Sequence, residues 1–361
     1  MIDFTSSLYL GLEHSSDSLA AWPRLTLGKP AALEAPPGSR EVERELATVV
    51  GCERALLAPS TLHIFSDLLA MFAGRRARIL LEESAYPIVR LAAGYAARPE
   101  TFGVACGQPL AGILQQSDRR PAIVTDGFIP SSGAPAALQE FARRARDAGG
   151  WLIVDDTQAL GIFGTPSRSA VPYGEGGGGS LRWTGVGGDH VIVVASLAKA
   201  FGAPLAMIGG SEAMLDRFER SSSTRVHCSP PSVAATRAAA VALGTNRREG
   251  EWLRRRLAKR VCRLRRGLRN LGLDGPDSLF PVQPVTNALG TDAHHLFTGL
   301  LESGIRTVLA RPSGAGAAQV VFIVTARHRL DEIDRALEAL AHLMSGRFKS
   351  AVGENRGRRY R

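Results

Sequence analysis

The sequence predicts an α/β protein: a large domain on a mostly parallel sheet, followed by a smaller α+β domain. Three observations carry that prediction. Short apolar runs end in carboxylates at 121–126 (PAIVTD) and 151–156 (WLIVDD), the pattern of strands buried on both faces. Between them, 135–148 (PAALQEFARRARDA) has apolar residues at helical spacing, with Pro135 near its start and Gly149-Gly150 at its end. Strand, helix and strand make a β-α-β unit, which joins parallel strands. Past about residue 232 helices dominate, with only short strands.

The remaining elements follow in order. An earlier unit reads as helix 40–51, strand 54–58 (RALLA), helix 61–73 and strand 78–82 (RILLE). Residues 174–188 (GEGGGGSLRWTGVGG) read as a flexible connector, with a mobile active-site flap as the alternative. Strands are expected at 191–195 (VIVVA) and 205–210 (LAMIGG). Helices 232–244, 249–271 and 330–345 follow, with strands near 305–310 and 320–324. The predicted division is an N-terminal segment, 1–35, packing with the small domain; a large domain, 36–235; a small domain, 236–345; and a basic, disordered tail, 346–361.

Of the 361 residues, 45% are hydrophobic and 22% charged, enough apolar material for a sizeable core. Four scattered cysteines (Cys52, Cys106, Cys228, Cys262) form no CxxC pair, which points to a reducing, cytoplasmic setting without a disulfide framework or zinc site. The opening MIDFTSSLYLGLEH has neither a basic n-region nor a long apolar h-region, so no signal peptide is expected. No apolar run is long enough for a membrane span. The formal net charge of +10 is concentrated late, in the helix 251–270 and the tail. The helix reads as a solvated face, with a docking surface for an acidic partner as the alternative. No nucleic-acid-binding motif accompanies the charge.

The chemistry-bearing segments sit at strand ends. In DHVIVVASLAKAFG (189–202) a buried strand ends at Ser196, with Lys199 just beyond. A lysine at the mouth of a parallel sheet stands where open α/β sheets bind ligands, and burial there makes it nucleophilic toward an aldehyde. Ser196 offers a hydroxyl to a phosphate. In LIVDDTQALGIFG (152–164) Asp155 closes another strand, where a carboxylate can pair with a protonated pyridine nitrogen. Alone, Asp155-Asp156 also fits a cap, a turn pair or a metal-binding dyad.

Taken together, these motifs resemble the α-oxoamine synthase group of fold-type I pyridoxal 5'-phosphate (PLP) enzymes, which includes 8-amino-7-oxononanoate synthase and glycine C-acetyltransferase. The resemblance spans nearly the whole chain: SLYLGL (7–12), TDGFIPSSGAPAALQEFARRA (125–145), VDDTQALGIFG (154–164), SLAKAFGAPLAMIGGS (196–211) and CSPPSVAA (228–235). It implies the aspartate-aminotransferase-like fold, with Lys199 as the Schiff-base lysine and the acid and base at the substrate carbon. Asp155 would face the pyridine nitrogen. Ser196 and a cup at Ser60, Thr61 and Leu62 would hold the phosphate. His227 would reach the phosphate of the neighbouring subunit, which implies a homodimer. The implied reaction joins an amino acid or amine carbanion to an acyl thioester carried by coenzyme A or an acidic carrier protein. An aminotransferase, a lyase or decarboxylase, and a non-catalytic protein of the same fold are the alternatives.

Several positions depart from the group's pattern. Tyr86 stands where the group has its ring-stacking histidine; aromatic stacking there is an aminotransferase habit, and plain core packing is the other reading. Gln158 replaces a histidine at the cofactor's phenolic oxygen, and Pro130 replaces a serine. Gln319 and Val321 occupy the stretch where the group carries its carboxylate-binding arginine. Arg311, or else Arg327, is the expected substitute. The segment GSREVERELA (38–47) shortens another part of the amino-acid pocket.

Overall fold

A computed structural model describes residues 1–18, 26–74, 77–96, 99–103, 109–117, 119–129, 133–167, 171–273, 275–285, 292–311 and 317–357. Two compact units emerge: Leu10–Ile129 with Ala134–Trp252, and Met1–Tyr9 with Pro130–Gly133 and Leu253–Arg361.

The first unit is built on a seven-stranded sheet. In chain order its strands are β1 (Arg54–Ala58), β2 (Arg78–Glu82), β3 (Glu100–Phe102), β4 (Pro121–Asp126), β5 (Trp151–Asp155), β6 (Val191–Ser196) and β7 (Ala206–Gly210). Across the sheet they run β1-β7-β6-β5-β4-β2-β3. All are parallel except β7, which is antiparallel to both neighbours. Because side chains alternate along a strand, each apolar run feeds two cores. Leu80, Ile123, Leu152, Val154 and Val193 enter one; Leu81, Val124, Ile153, Ile192 and Val194 enter the other. Each such side chain contributes about 1.5–3 kcal/mol on burial. The consequence for function is positional: Ala58, Glu82, Asp126, Asp155 and Ser196 all end their strands on one edge.

The glycine-rich stretch differs from the expected loose connector. Gly164 N–H donates to Tyr173 at 2.8 Å, and Thr165 and Glu175 exchange two 2.9 Å backbone bonds. Gly176 N–H donates to Glu251 at 2.8 Å, and Asn246 donates to the Gly176 carbonyl at 3.1 Å. A short helix, Gly179–Thr184, closes the stretch, and both carboxylate oxygens of Asp156 accept its Ser180 N–H, at 3.1 and 3.0 Å. Glycine is required at 179: its φ is +85°, and a Cβ there would meet Asp156 Oδ2 at 1.8 Å.

Other boundaries shift as well. The helix expected at 135–148 runs Leu138–Asp147, because Ala134–Pro135 pairs with Phe128–Ile129 as a small ribbon. The two helices expected at 232–244 and 249–271 are one, Val233–Asn270; Gly244 does not break it. The unit division falls at Trp252/Leu253, inside this helix, rather than at 235/236. Residues 346–357, expected to be disordered, continue the helix Leu330–Gly357; no proline interrupts them.

The second unit has a three-stranded antiparallel sheet, Val282–Val285, Gln319–Ile323 and Val308–Ala310, with Gln319–Ile323 central. The N-terminal strand Ile2–Asp3 pairs in parallel with Ile305–Arg306. The arginine-rich helix is not simply a solvated face. Arg254 is 1% exposed. Arg256 and Arg260 donate to the carbonyls of Ala326 and His328, each at 2.6 Å. Arg255, Lys259 and Arg266 remain exposed. Among the described residues, no helix is long and apolar enough to cross a membrane.

Candidate active site

The candidate residues gather where the parallel strands end, the ligand-binding edge of an open α/β sheet. Lys199 lies on the return from β6 to β7. Leu197 N–H donates to Leu205 at 2.9 Å, Ala203 N–H to Leu197 at 3.1 Å and Gly202 N–H to Lys199 at 3.2 Å. His14 donates a ring N–H to the Phe201 carbonyl at 2.8 Å. The lysine backbone is therefore braced while its amine stays partly buried. Burial holds that amine below the ordinary lysine value, and the charge of Asp155 opposes the shift.

Asp155 is buried at the end of β5. Burial raises its carboxyl; bonds from Thr157 and the charge of Lys199 oppose the rise. Thr157 N–H donates to Asp155 Oδ1 at 3.0 Å, and Thr157 Oγ1 accepts Ser196 N–H at 2.9 Å. One threonine thus ties the ends of β5 and β6. The adjoining carboxylates diverge: Asp155 interacts with Lys199, whereas Asp156 caps the helix Gly179–Thr184.

Beyond β1, Ser60 precedes the helix Thr61–Gly74, whose first backbone N–H groups have no intrahelical acceptor. Thr61 and Leu62 form the first turn, so their N–H groups face the N-terminal end of the helix. Ser60 Oγ and His63 Nδ1 lie 2.8 Å apart. Tyr86 follows β2 with its side chain 45% exposed, so plain core packing does not account for it. Its N–H donates to Asp126 Oδ1 at 3.1 Å. Gln158 is half-buried in the turn after Asp156. His227 is exposed at the end of the helix Ser223–His227, whose start is fixed by Asp67, a residue of the helix Thr61–Gly74 that accepts from Ser222 Oγ and Thr224.

Thus Ser60, Thr61, Leu62, Tyr86, Asp155, Gln158, Ser196 and Lys199 share one edge of one sheet. Arg311 and Arg327 are both exposed and belong to the other unit. Val321 is 7% exposed and packs inward. Pro130 lies outside the described residues. Thr157, Asp126 and His63 received no role in the sequence reading. A D-x-T turn and an S-x-x-H helix start were the local signals for Thr157 and His63.

The donor set fits PLP: an amine of lowered basicity, a buried carboxylate interacting with it, and hydroxyls beside a helix N-terminus for a phosphate. The comparisons agree. The family model for aminotransferase class I and II matches residues 132–340. The 8-amino-7-oxononanoate synthase of Halorhodospira halophila is 34% identical, over 84% of this chain and 74% of the relative. That of Methylococcus capsulatus is 32% identical, over 94% and 88%.

The chain belongs to the aminotransferase class I and II family.

Within it, the chain is an α-oxoamine synthase-type, PLP-dependent acyltransferase, as the names of these two relatives indicate. The fold agrees. An 8-amino-7-oxononanoate synthase from Francisella tularensis superposes with a TM-score of 0.73 at 19% identity, covering 96% of this chain and 98% of that one. Sphingomonas wittichii serine palmitoyltransferase gives 0.81 at 19% identity, covering 96% and 87%.

Proposed function

We propose that the carboxyl edge of the sheet is the cofactor site and that the reaction joins the amine-bearing carbon of an amino acid to an acyl thioester. The observation that carries this reading is that Asp155 and Lys199 stand at the ends of adjacent parallel strands, β5 and β6, which Thr157 ties together. When bound, PLP supplies an aldehyde for the lysine and a protonated ring that accepts electrons from the substrate carbon. Lys199 Nζ, its proton affinity lowered by burial, takes and returns a proton at that carbon. Asp155 holds the proton on the ring nitrogen, and Thr157 fixes the orientation of its carboxylate. Ser60, Thr61, Leu62 and Ser196 hold the phosphate. Tyr86 presents its ring face, and Gln158 donates to the phenolic oxygen.

Three finer features belong to the same reading. The chain works as a homodimer in which His227 serves the neighbouring site, supported by exposed Val226 and Leu33 near that helix. The acyl donor is anionic, coenzyme A or an acidic carrier protein, supported by the net charge of +10. Arg311 reads the substrate carboxylate. Borohydride reduction of the cofactor-loaded protein followed by peptide mapping tests the core of the reading. The expected result is label on Lys199; label on another lysine, or no cofactor uptake at saturation, overturns it.

A further inference from the structure

One buried carboxyl on the cofactor edge has no part in the chemistry above. Asp126 ends β4 as Asp155 ends β5, and the two are Cα partners, so their side chains leave the same face of the sheet. Asp126 is 6% exposed. Its Oδ1 accepts the Tyr86 N–H at 3.1 Å, directly before the helix Pro87–Ala96. The same side chain therefore touches the backbone of the ring-stacking candidate and neighbours the carboxylate assigned to the ring nitrogen.

We propose that Asp126 is a positioning residue for the cofactor ring, fixing where Tyr86 stands and, through its own charge, setting the charge that Asp155 presents. The inference rests on the cofactor site proposed above. The charged groups around Asp126 come from three directions: Asp155 on β5, Glu82 at the end of β2, and Arg90 on the helix Pro87–Ala96. Burial pushes its carboxyl up to about 8; Asp155 and Glu82 push the same way, and the Tyr86 N–H and Arg90 oppose them. Below that pH Asp126 keeps its proton, and Asp155 faces Lys199 without a second anion beside it. Above it, a second negative charge appears on the adjoining strand. Asp156 takes no part in this pairing, because its carboxylate is held by Ser180.

Three variants separate the two roles. Asp126→Asn keeps an oxygen for the Tyr86 N–H and loses the titration. Asp126→Ala loses both, and Asp126→Glu restores a carboxyl. The first readout is the thermal midpoint of the cofactor-free protein between about pH 5 and 9. Wild type should lose stability as pH rises toward 8, and Asp126→Asn should flatten that fall. The second is PLP binding by absorbance: at pH 6.5, Asp126→Asn should stay within about threefold of wild type, and Asp126→Ala should weaken by about tenfold or more. The third is the pH midpoint of the bound-cofactor absorbance, which should shift in Asp126→Asn and return in Asp126→Glu. If wild type binds the cofactor and both Asn and Ala variants match it in affinity and pH dependence, the inference alone falls. If wild type binds no PLP, the site reading and this inference fall together.

Discussion

The carboxyl edge of the large sheet and the terminal strand Gln319–Ile323 are built differently. At the edge, polar groups are paired one to one: Asp155 with Thr157, the Tyr86 N–H with Asp126, and Ser60 with His63. Along Gln319–Ile323, Val320, Val321 and Phe322 are buried apolar residues, and no guanidinium lies on the strand. The edge carries the residues proposed to hold the cofactor. On the proposed function, cofactor chemistry rests on a hydrogen-bonded network and substrate choice on single side chains.

Four measurements break or sharpen that contrast. The largest effect is expected from Lys199→Ala, which should abolish borohydride-fixed label and turnover together; retained label means another lysine holds the cofactor. Next, Asp155→Asn should slow turnover by about 100-fold or more, a barrier change of about 2.7 kcal/mol, with cofactor affinity little changed. Near-normal turnover would remove Asp155 from its role. In the terminal unit, Arg311→Ala should raise the apparent Kd for the amino substrate about tenfold, with cofactor binding intact. If Arg311→Ala and Arg327→Ala both bind an amino acid normally, no rescuing arginine exists there. Equal wild-type binding of an amino acid and its decarboxylated amine would then show that the carboxylate is not read.

The smallest effect concerns pH. Burial, together with the charge of Asp155, raises Asp156 to about 7, against bonds from Ser180. A carboxyl raised on folding holds its proton in the native state while the unfolded chain has released it. Its stabilisation is full below the ordinary value of 3.8 and is lost as pH rises through about 7. Denaturant titrations between those limits should show stability falling by up to about 1.4 kcal/mol per pH unit. Asp156→Asn, which keeps an acceptor for Ser180, should reduce that slope; an unchanged slope would place the titration elsewhere.

The parts of the fold legible in the sequence were those fixed by local pattern. PAIVTD, WLIVDD and VIVVA are strands because a doubly covered sheet needs unbroken apolar runs, and their ends led directly to Asp155 and Lys199. What escaped depended on distant partners. The glycine-rich stretch is ordered by Asp156, 24 residues before Ser180. Arg256 and Arg260 look like surface charge until the carbonyls of Ala326 and His328 arrive from about 70 residues away. Gly244 looks like a helix end, yet the helix Val233–Asn270 continues through it. Asp126 was visible inside a motif, but its bond to Tyr86 joins residues 40 apart.

The brace beneath Lys199 has a consequence for how the amine competes. Its backbone is clamped by Leu197, Leu205 and Gly202, leaving only the four-carbon arm to move. A tether that short keeps the amine at an effective concentration on the order of millimolar or higher wherever its reach overlaps the aldehyde. On the proposed function, a free amino acid would have to outcompete this resident nucleophile to enter, and the same local excess would favour return of the lysine once product leaves. On that reading the turn from β6 to β7 acts as a molecular leash on the amine.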